Sequence, residues 1–259
     1  MLVSKVKVIP PVIAHRGANL LAPENTLSAF KKAKEVGINW VEFDVTLSKD
    51  GEVVVIHDDT LDRTTNGSGY VYEKSLEYIK SLDAGSWFDL SFKDEKIPTL
   101  KEALLLLKKH DMHANIEIKT LEGLELELAQ KVVSEINEFS GKKTNLLISS
   151  FCEKSLKHVR ELSSSLPIGF LIREWRADWV QHCNAISAIS VHIKEDLLTS
   201  SRVAEFKKHD VLLLAFTVND KARFKQLKAL GVDAVFSDCA NELLDLDQKI
   251  QSKKKISKL

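Results

Sequence analysis

Short apolar runs alternate with amphipathic stretches along the whole chain. Eight of these runs are rich in Val, Ile, Leu and Phe and are largely apolar on both faces, which is typical of parallel strands covered by helices. The predicted strands are residues 12–15, 40–46, 113–119, 145–149, 168–172, 188–191, 211–218 and 234–237. Helical spacing of apolar residues between them predicts helices at residues 26–36, 100–110, 124–138, 153–162, 197–209 and 221–230.

This order of elements predicts an α/β fold, a (β/α)8 TIM-type barrel, because eight strands that alternate with helices can close into a ring. An open parallel sheet would alternate in the same way. The sequence contains no internal repeat and no linker. We therefore predict one domain over residues 1–259, since about 250 residues is the usual size of a single barrel.

Two features interrupt the alternation. Asp50-Gly51 lies between two apolar runs, which is a strong signal for a β-hairpin. A turn centred there would place Asp44 roughly opposite His57, and a slip of one residue would still leave them neighbours. The following segment, about residues 59–98, is rich in Thr, Gly, Ser and Asp and is too long for an ordinary barrel loop. We predict that it forms an inserted cap beside the mouth of the barrel.

Composition limits the classes of partner. The chain has 37 basic and 37 acidic side chains, so no overall charge draws it to nucleic acid or to an anionic membrane. No apolar run approaches the ~18 to 20 residues of a membrane span. We expect neither a nucleic-acid partner nor integral membrane association, and a cytoplasmic location. Ser257-Lys258-Leu259 matches the peroxisomal address signal, which is the alternative location. The oligomeric state is not predicted.

Carboxylates stand in two of the predicted strands. Glu42 and Asp44 are two residues apart and share a face, and Glu117 alternates with isoleucine in the third barrel strand. A buried carboxylate must be paired with a cation or coordinate a metal, and oxygen ligands favour magnesium, calcium or manganese. The alternatives are a pair satisfied by Arg or Lys for the first two, and a Glu117–Lys119 ion pair for the third.

Candidate proton-transfer and phosphate-binding groups lie beside these carboxylates. His15 and Arg16 end the first predicted strand, and His57 ends the hairpin. Histidine transfers protons near neutral pH, arginine can hold a phosphate through two hydrogen bonds, and Lys119 can hold a phosphate oxygen as charge develops on it. Taken singly, the first motif could be a surface turn and His57 a solvent-facing histidine. Together they predict metal-assisted phosphoryl chemistry.

Nine short motifs follow one another along nearly the whole chain: His15-Arg16-Gly17, Pro23-Glu24-Asn25-Thr26, Glu42-Phe43-Asp44-Val45, His57-Asp58, Asp62-Arg63-Thr64-Thr65, Gly85-Ser86-Trp87-Phe88, Ile97-Pro98-Thr99-Leu100, Glu117-Ile118-Lys119 and Thr217-Val218-Asn219. In order and spacing they resemble the glycerophosphodiester phosphodiesterase family. The resemblance implies a barrel with an inserted cap and one divalent cation, magnesium or calcium. The residues it implies are the acid–base pair His15 and His57, the phosphate ligands Arg16 and Lys119, and the cation ligands Glu42, Asp44 and Glu117.

The resemblance also implies a reaction and a substrate, a small glycerophosphodiester. The glycerol hydroxyl of the substrate would attack phosphorus, and water would open the cyclic phosphate to give glycerol 3-phosphate and an alcohol. The alternatives are a lysophospholipase-D-like hydrolase, a lyase that stops at the cyclic phosphate, and a barrel that only binds phosphorylated ligands. A metal-independent sugar-phosphate isomerase or aldolase is a further alternative.

The chain departs from the family pattern in two places that bear on substrate preference. Phe216 stands where the family often has tryptophan, and we predict that it forms an aromatic wall for the substrate. Ser237-Asp238-Cys239 stands where the family commonly has Thr-Asp followed later by Pro. Trp175 and Trp179 are predicted to pack within the fold, and His192 is predicted to take no part in the reaction.

Overall fold

Eight parallel strands form a closed barrel in the computed structural model, which describes residues 9–139 and 144–256. The barrel strands are β1 (Val12–Ala14), β2 (Trp40–Leu47), β4 (His113–Ile118), β5 (Leu146–Ser150), β6 (Ile168–Ile172), β7 (Ser190–Lys194), β8 (Leu212–Phe216) and β9 (Ala234–Ser237). The ring closes because β1 pairs with β9 on one side and with β2 on the other. The predicted TIM-type barrel is confirmed.

Helices connect the strands and cover the outside of the barrel, apart from one that lies in the segment after the hairpin. They are α1 (Leu27–Glu35), α2 (Leu76–Ser81), α3 (Leu100–His110), α4 (Glu125–Glu138), α5 (Glu153–Leu162), α6 (Trp179–Ile186), α7 (Ser200–Phe206), α8 (Lys221–Leu230) and α9 (Ala240–Ile256). Local sequence sets their ends. The side chain of Thr99 accepts a hydrogen bond from the backbone N–H of Glu102 and completes a capping box at the start of α3, while Gly231 ends α8 in a left-handed conformation.

The barrel interior is divided into an apolar part and a polar part. Ile13, Trp40, Leu147, Leu214 and Phe236 form a buried apolar cluster inside the ring. Successive inward positions of a strand are two residues apart. Two residues after Ile13 and Trp40 come His15 and Glu42, which are polar and lie nearer the carboxyl ends of β1 and β2. The apolar cluster thus supports a polar layer at that rim.

The segment after the hairpin has a hydrophobic core of its own. Strand β3 (Val53–Val55) pairs antiparallel with β2, and residues 59–98 contain α2 and two short 3-10 turns. A cluster that includes Leu61, Val71 and Ile79 is separate from the main barrel core. The predicted cap is therefore a small unit packed beside the mouth.

Two predicted placements are corrected. The hairpin pairs Val45 with Val55, and the backbone N–H of Ile56 donates to the carbonyl of Asp44, so Asp44 faces Ile56, one residue before His57. The register differs by one residue from the predicted pairing, and Asp44 and His57 remain neighbours. The cause is a three-residue loop, residues 49–51, with Gly51 at positive φ. The turn is centred on Asp50 and not between Asp50 and Gly51 as predicted.

Strand β7 begins two residues after the predicted start and continues to Lys194. Its polar residues, Ser190 and His192, occupy inward positions, so the apolar run placed the bounds of this strand too early. Helices α2, α6 and α9 were not among the predicted helices. The three residues of the peroxisomal alternative, 257–259, lie outside the described part of the chain.

Candidate active site

The carboxyl ends of the barrel strands surround one large cavity with a volume of about 1090 Å³. Because the strands are parallel, all eight end at the same rim. All eight side chains predicted from the sequence line this cavity: His15, Arg16, Glu42, Asp44, His57, Glu117, Lys119 and Phe216. Residues that are up to two hundred positions apart in the chain thus share one site.

Glu42 and Asp44 on β2 and Glu117 on β4 form an acidic trio. One oxygen of each lies within 4.8 Å of the others, and the parallel register sets Asp44 beside Glu117. Burial and the charge of Asp44 raise the pKa of Glu42 to about 8, and the same two causes raise the pKa of Glu117. A cation would favour their ionised forms, and three carboxylates suit a hard divalent ion. The trio could therefore hold magnesium or calcium.

Asp44 stays ionised because positive groups surround it. Burial alone would raise its pKa, but Lys119, His57 and Arg16 hold the pKa below its ordinary value. Lys119 Nζ lies 3.5 Å from Oδ1, and Arg16 Nε lies 3.7 Å from Oδ2. Asn25 donates to Oδ2 at 2.9 Å. The two candidate phosphate ligands are thereby held next to the trio.

His15 follows β1, and a carboxylate from the far end of the chain holds its ring. Its Nδ1 lies 2.7 Å from Asp238 Oδ1, and its Nε2 lies 3.9 Å from Glu42 Oε2. Asn19 and Asn219 donate to Asp238 at 2.5 and 2.7 Å. Burial lowers the pKa of His15, but Asp238 and Glu42 outweigh it, so the pKa lies above its ordinary value. Nε2 is left to face the trio.

His57 follows β3 and has the same arrangement. Its Nδ1 lies 2.6 Å from Asp58 Oδ1. Arg63 donates to Asp58 Oδ2 at 2.6 Å and holds the pKa of that carboxyl well below its usual range. Burial lowers the pKa of His57 below its ordinary value, and the charge of Asp44 opposes this only in part. Each histidine therefore has one nitrogen fixed by an aspartate and the other available for proton transfer.

Glu24 ties the β1 loop to the beginning of the cap. It accepts hydrogen bonds from Arg16 Nη1 and from both terminal nitrogens of Arg63, each at 2.8 Å. The backbone N–H of Arg16 donates to Glu42 at 3.0 Å. Arg16 Nε is buried and makes no hydrogen bond with any described residue, so it can donate to a ligand.

Two polar side chains inside the barrel also line the cavity. His192 is fully buried, its Nε2 lies 2.9 Å from Ser190 Oγ, and burial lowers its pKa to about 3. Asn115 donates to Ser149 Oγ at 2.9 Å. Neither His192 Nδ1 nor Asn115 Oδ1 finds a partner among the described residues. Both are neutral groups that can bind a ligand hydroxyl or a water molecule.

The opposite side of the cavity is aromatic. Phe216 packs edge-to-face on Phe151, with ring centroids 5.8 Å apart, and both line the cavity.

The predicted packing role of the two tryptophans agrees with their contacts, since Trp179 is fully buried against Phe206 at 4.4 Å and Trp175 packs on the same ring.

Comparison with known proteins assigns the family. The model of the glycerophosphoryl diester phosphodiesterase family matches residues 15–242. The chain belongs to this family. A glycerophosphodiester phosphodiesterase of Caldanaerobacter subterraneus subsp. tengcongensis is 39% identical over 92% of this chain and 98% of the relative. One from Bacillus subtilis is 32% identical over 87% of this chain and 82% of the relative.

A solved structure agrees with this assignment to the glycerophosphoryl diester phosphodiesterases. An Oleispira antarctica phosphodiesterase, in complex with the product sn-glycerol-3-phosphate, has a TM-score of 0.89 and is 37% identical, with 92% of this chain and 96% of that chain covered. The family and the enzyme class predicted from the sequence motifs are confirmed.

Among the described residues, no helix has the length and apolarity needed to cross a bilayer.

Sequence reasoning gave no role to several residues of this phosphodiesterase site. Asp238 and Asp58 orient the two histidines, and Glu24 and Asn25 hold the neighbouring arginine and aspartate. All four lie in motifs or departures that were noticed. The sequence does not show which side chain each of these four residues contacts.

Proposed function

We propose that this chain hydrolyses glycerophosphodiesters to glycerol 3-phosphate and an alcohol. A divalent cation, magnesium or calcium, would bind Glu42, Asp44 and Glu117, with His15 and His57 as the acid–base pair. One observation carries the proposal: the two histidines and the acidic trio line the same cavity, and each histidine is oriented by its own aspartate.

The residues suggest a two-step reaction. One histidine takes the proton of the glycerol hydroxyl as that oxygen bonds to phosphorus, and the other gives a proton to the departing alcohol oxygen. In the second step the histidines exchange roles: one takes a proton from water and the other protonates the ring oxygen that leaves. Arg16 and Lys119 bind the phosphate oxygens throughout. When bound, the cation supplies Lewis-acid stabilisation of the phosphoryl charge.

Removal of either histidine tests the proposal. We expect His15→Ala and His57→Ala each to lower kcat on glycerophosphocholine by about a thousandfold, since general acid–base catalysis contributes roughly 10² to 10⁴. His158→Ala is the matched control, because that histidine pairs with Glu161 on α5 and does not line the cavity. Activity near wild type in either site variant would refute the acid–base assignment.

Chelation tests the cation. We expect EDTA to abolish turnover and added magnesium or calcium to restore it. An undiminished rate in excess chelator would contradict a metal-dependent reaction and favour a metal-independent isomerase or aldolase.

Phosphorus NMR of the products would distinguish glycerol 3-phosphate from a cyclic phosphate that is the final product.

A lysophospholipase-D-like activity is the second candidate. The size of the cavity favours it, because about 1090 Å³ exceeds the space that a glycerophosphate needs. Turnover of glycerophosphocholine above that of lysophosphatidylcholine is the result we expect. Equal or greater turnover of the lysolipid would reverse this order.

A further inference from the structure

An arginine projects into the cavity from the side opposite the histidines. Arg173 directly follows β6, which is four strands away from β1 in either direction around the ring of eight. Arg173 lines the same cavity as His15. The candidate phosphate ligands, Arg16 and Lys119, follow β1 and β4. Arg173 therefore adds positive charge at a distance from the group that would bind the phosphate.

This arginine is exposed at the rim and stacks on one aromatic ring. Its guanidinium carbon lies 4.0 Å from the centroid of the Phe151 ring, and Phe151 is itself held edge-to-face by Phe216. A guanidinium stacked on a ring loses little conformational freedom when it binds an anion, so it is prepared for binding.

The charge of Arg173 is not neutralised within the protein. No carboxylate of the described residues forms an ion pair with it, whereas Lys194 on the neighbouring strand pairs with Asp196 at 2.6 Å. Arg16 is likewise paired, with Glu24 at 2.8 Å. Among the described residues, Arg173 thus differs from the other lysine and arginine side chains of the wall in having no carboxylate partner, since Lys119 also pairs with Asp44 at 3.5 Å.

We infer that Arg173, stacked on Phe151, binds an anionic group carried by the leaving alcohol of the glycerophosphodiester. This inference rests on the proposed function. The guanidinium occupies the face of Phe151 on which a trimethylammonium group would otherwise stack, and it repels that group. The preferred substrates are therefore diesters whose alcohol bears a second phosphate or a carboxylate, and diesters of choline are disfavoured.

Three substrates that differ in the charge of the alcohol test the inference: glycerophosphoinositol 4-phosphate, glycerophosphoinositol and glycerophosphocholine. For the wild type we expect kcat/KM to fall in that order. In Arg173→Gln we expect kcat/KM for the phosphorylated substrate to fall by about tenfold, which corresponds to about 1.4 kcal/mol. The value for glycerophosphoinositol should change little, and the value for glycerophosphocholine should rise.

Two further variants complete the experiment. Arg173→Lys keeps the charge but loses the planar stack, so we expect partial retention of the preference. Arg202→Gln is the matched control, because Arg202 stacks on Trp175 at 4.3 Å outside the cavity. An equal loss on all three substrates in Arg173→Gln, or an unchanged ratio, overturns the inference alone. Absence of wild-type turnover on every diester overturns the proposed function and this inference with it.

Discussion

Each candidate catalytic histidine depends on one aspartate for its orientation. Asp58 is the next residue after His57, so the sequence alone brings the two together, whereas Asp238 is 223 residues from His15. The pairing with Asp238 arises only when the ring closes and β9 lies beside β1. The candidate reactive residues could be proposed from motifs, but this contact could not be predicted, because it depends on barrel closure.

Loss of the Asp238 carboxylate should impair the reaction more than the fold. We expect Asp238→Asn to lower kcat by about 10- to 100-fold, the range found when groups that orient reactive side chains are removed. Because the neutral amide no longer raises the pKa of His15, the pH dependence of kcat should also shift to lower pH. Asp178→Asn, at an exposed carboxylate paired with Arg176, is the control. An unchanged pH profile would argue against orientation of His15 by Asp238.

The buried histidine inside the barrel should make stability depend on pH. Burial lowers the pKa of His192 to about 3 in the folded protein. When the pH is below the pKa of this histidine in the unfolded chain, the unfolded chain therefore binds a proton that the folded chain does not. From about pH 7 to about pH 5, the free energy of unfolding should fall by about 2 kcal/mol more in the wild type than in His192→Gln. Urea unfolding at both pH values measures this difference, and parallel losses in the two proteins would contradict it.

At the scale of elements, the turn between β1 and α1 positions several site residues through its backbone. Arg16 and Gly17 both have positive φ, at 54° and 79°. This conformation lets the N–H of Arg16 donate to the Glu42 carboxylate and brings Gly17 against α1. A Cβ atom at Gly17 would lie 2.7 Å from the Cβ of Ala29. The turn therefore requires glycine for two separate reasons.

A pair of glycine variants separates these reasons. Gly37 also has positive φ, but its added Cβ would meet no atom within 4 Å. We expect Gly37→Ala to cost about 1 kcal/mol from backbone strain alone. Gly17→Ala should cost at least about 2 kcal/mol and also lower activity, because the clash with Ala29 displaces the turn. Equal losses of unfolding free energy in both variants would show that the close contact is unimportant.

The errors of sequence-based prediction at this scale have separate causes. The bounds of α3, α5 and α8 were predicted correctly. Capping residues mark the ends of α8, since Asp220 caps its start and Gly231 its end. The start of β7 was misplaced, since inward positions of this barrel carry polar side chains such as His192. The hairpin register was displaced because a three-residue loop and a two-residue loop share the Asp-Gly signal.

At the scale of the whole molecule, the barrel and the cap each have a hydrophobic core of their own. Ile79 is fully buried in the cap cluster, and Ile148 is fully buried in the main barrel cluster. A segment with its own core can open locally while the rest of the protein stays folded. The α/β class was predictable from the alternation of strands and helices, and the closed barrel from the count of eight strands together with the family resemblance. The separate core of the cap was not visible in its polar composition.

Matched isoleucine variants test this division. We expect Ile79→Ala and Ile148→Ala each to remove about 2 to 5 kcal/mol of core packing. In Ile79→Ala, amide hydrogen exchange should accelerate within residues 59–98 and leave the barrel strands protected. In Ile148→Ala the barrel strands should lose protection. Uniform acceleration across the chain in Ile79→Ala would show that cap and barrel unfold as one unit. The single-domain prediction for residues 1–259 would then gain support.

The placement of side chains around the cavity also bears on how the enzyme could change. The candidate histidines and cation ligands follow or lie on β1 to β4, and Asp238 follows β9. Phe151 and Arg173 follow β5 and β6, and Phe216 ends β8, and these three strands lie between β4 and β9 in the ring. Substitutions at the ends of β5, β6 and β8 can therefore alter which headgroup is accepted while the phosphate-cleaving machinery stays intact. Directed evolution toward new alcohols would best begin at those three strand ends.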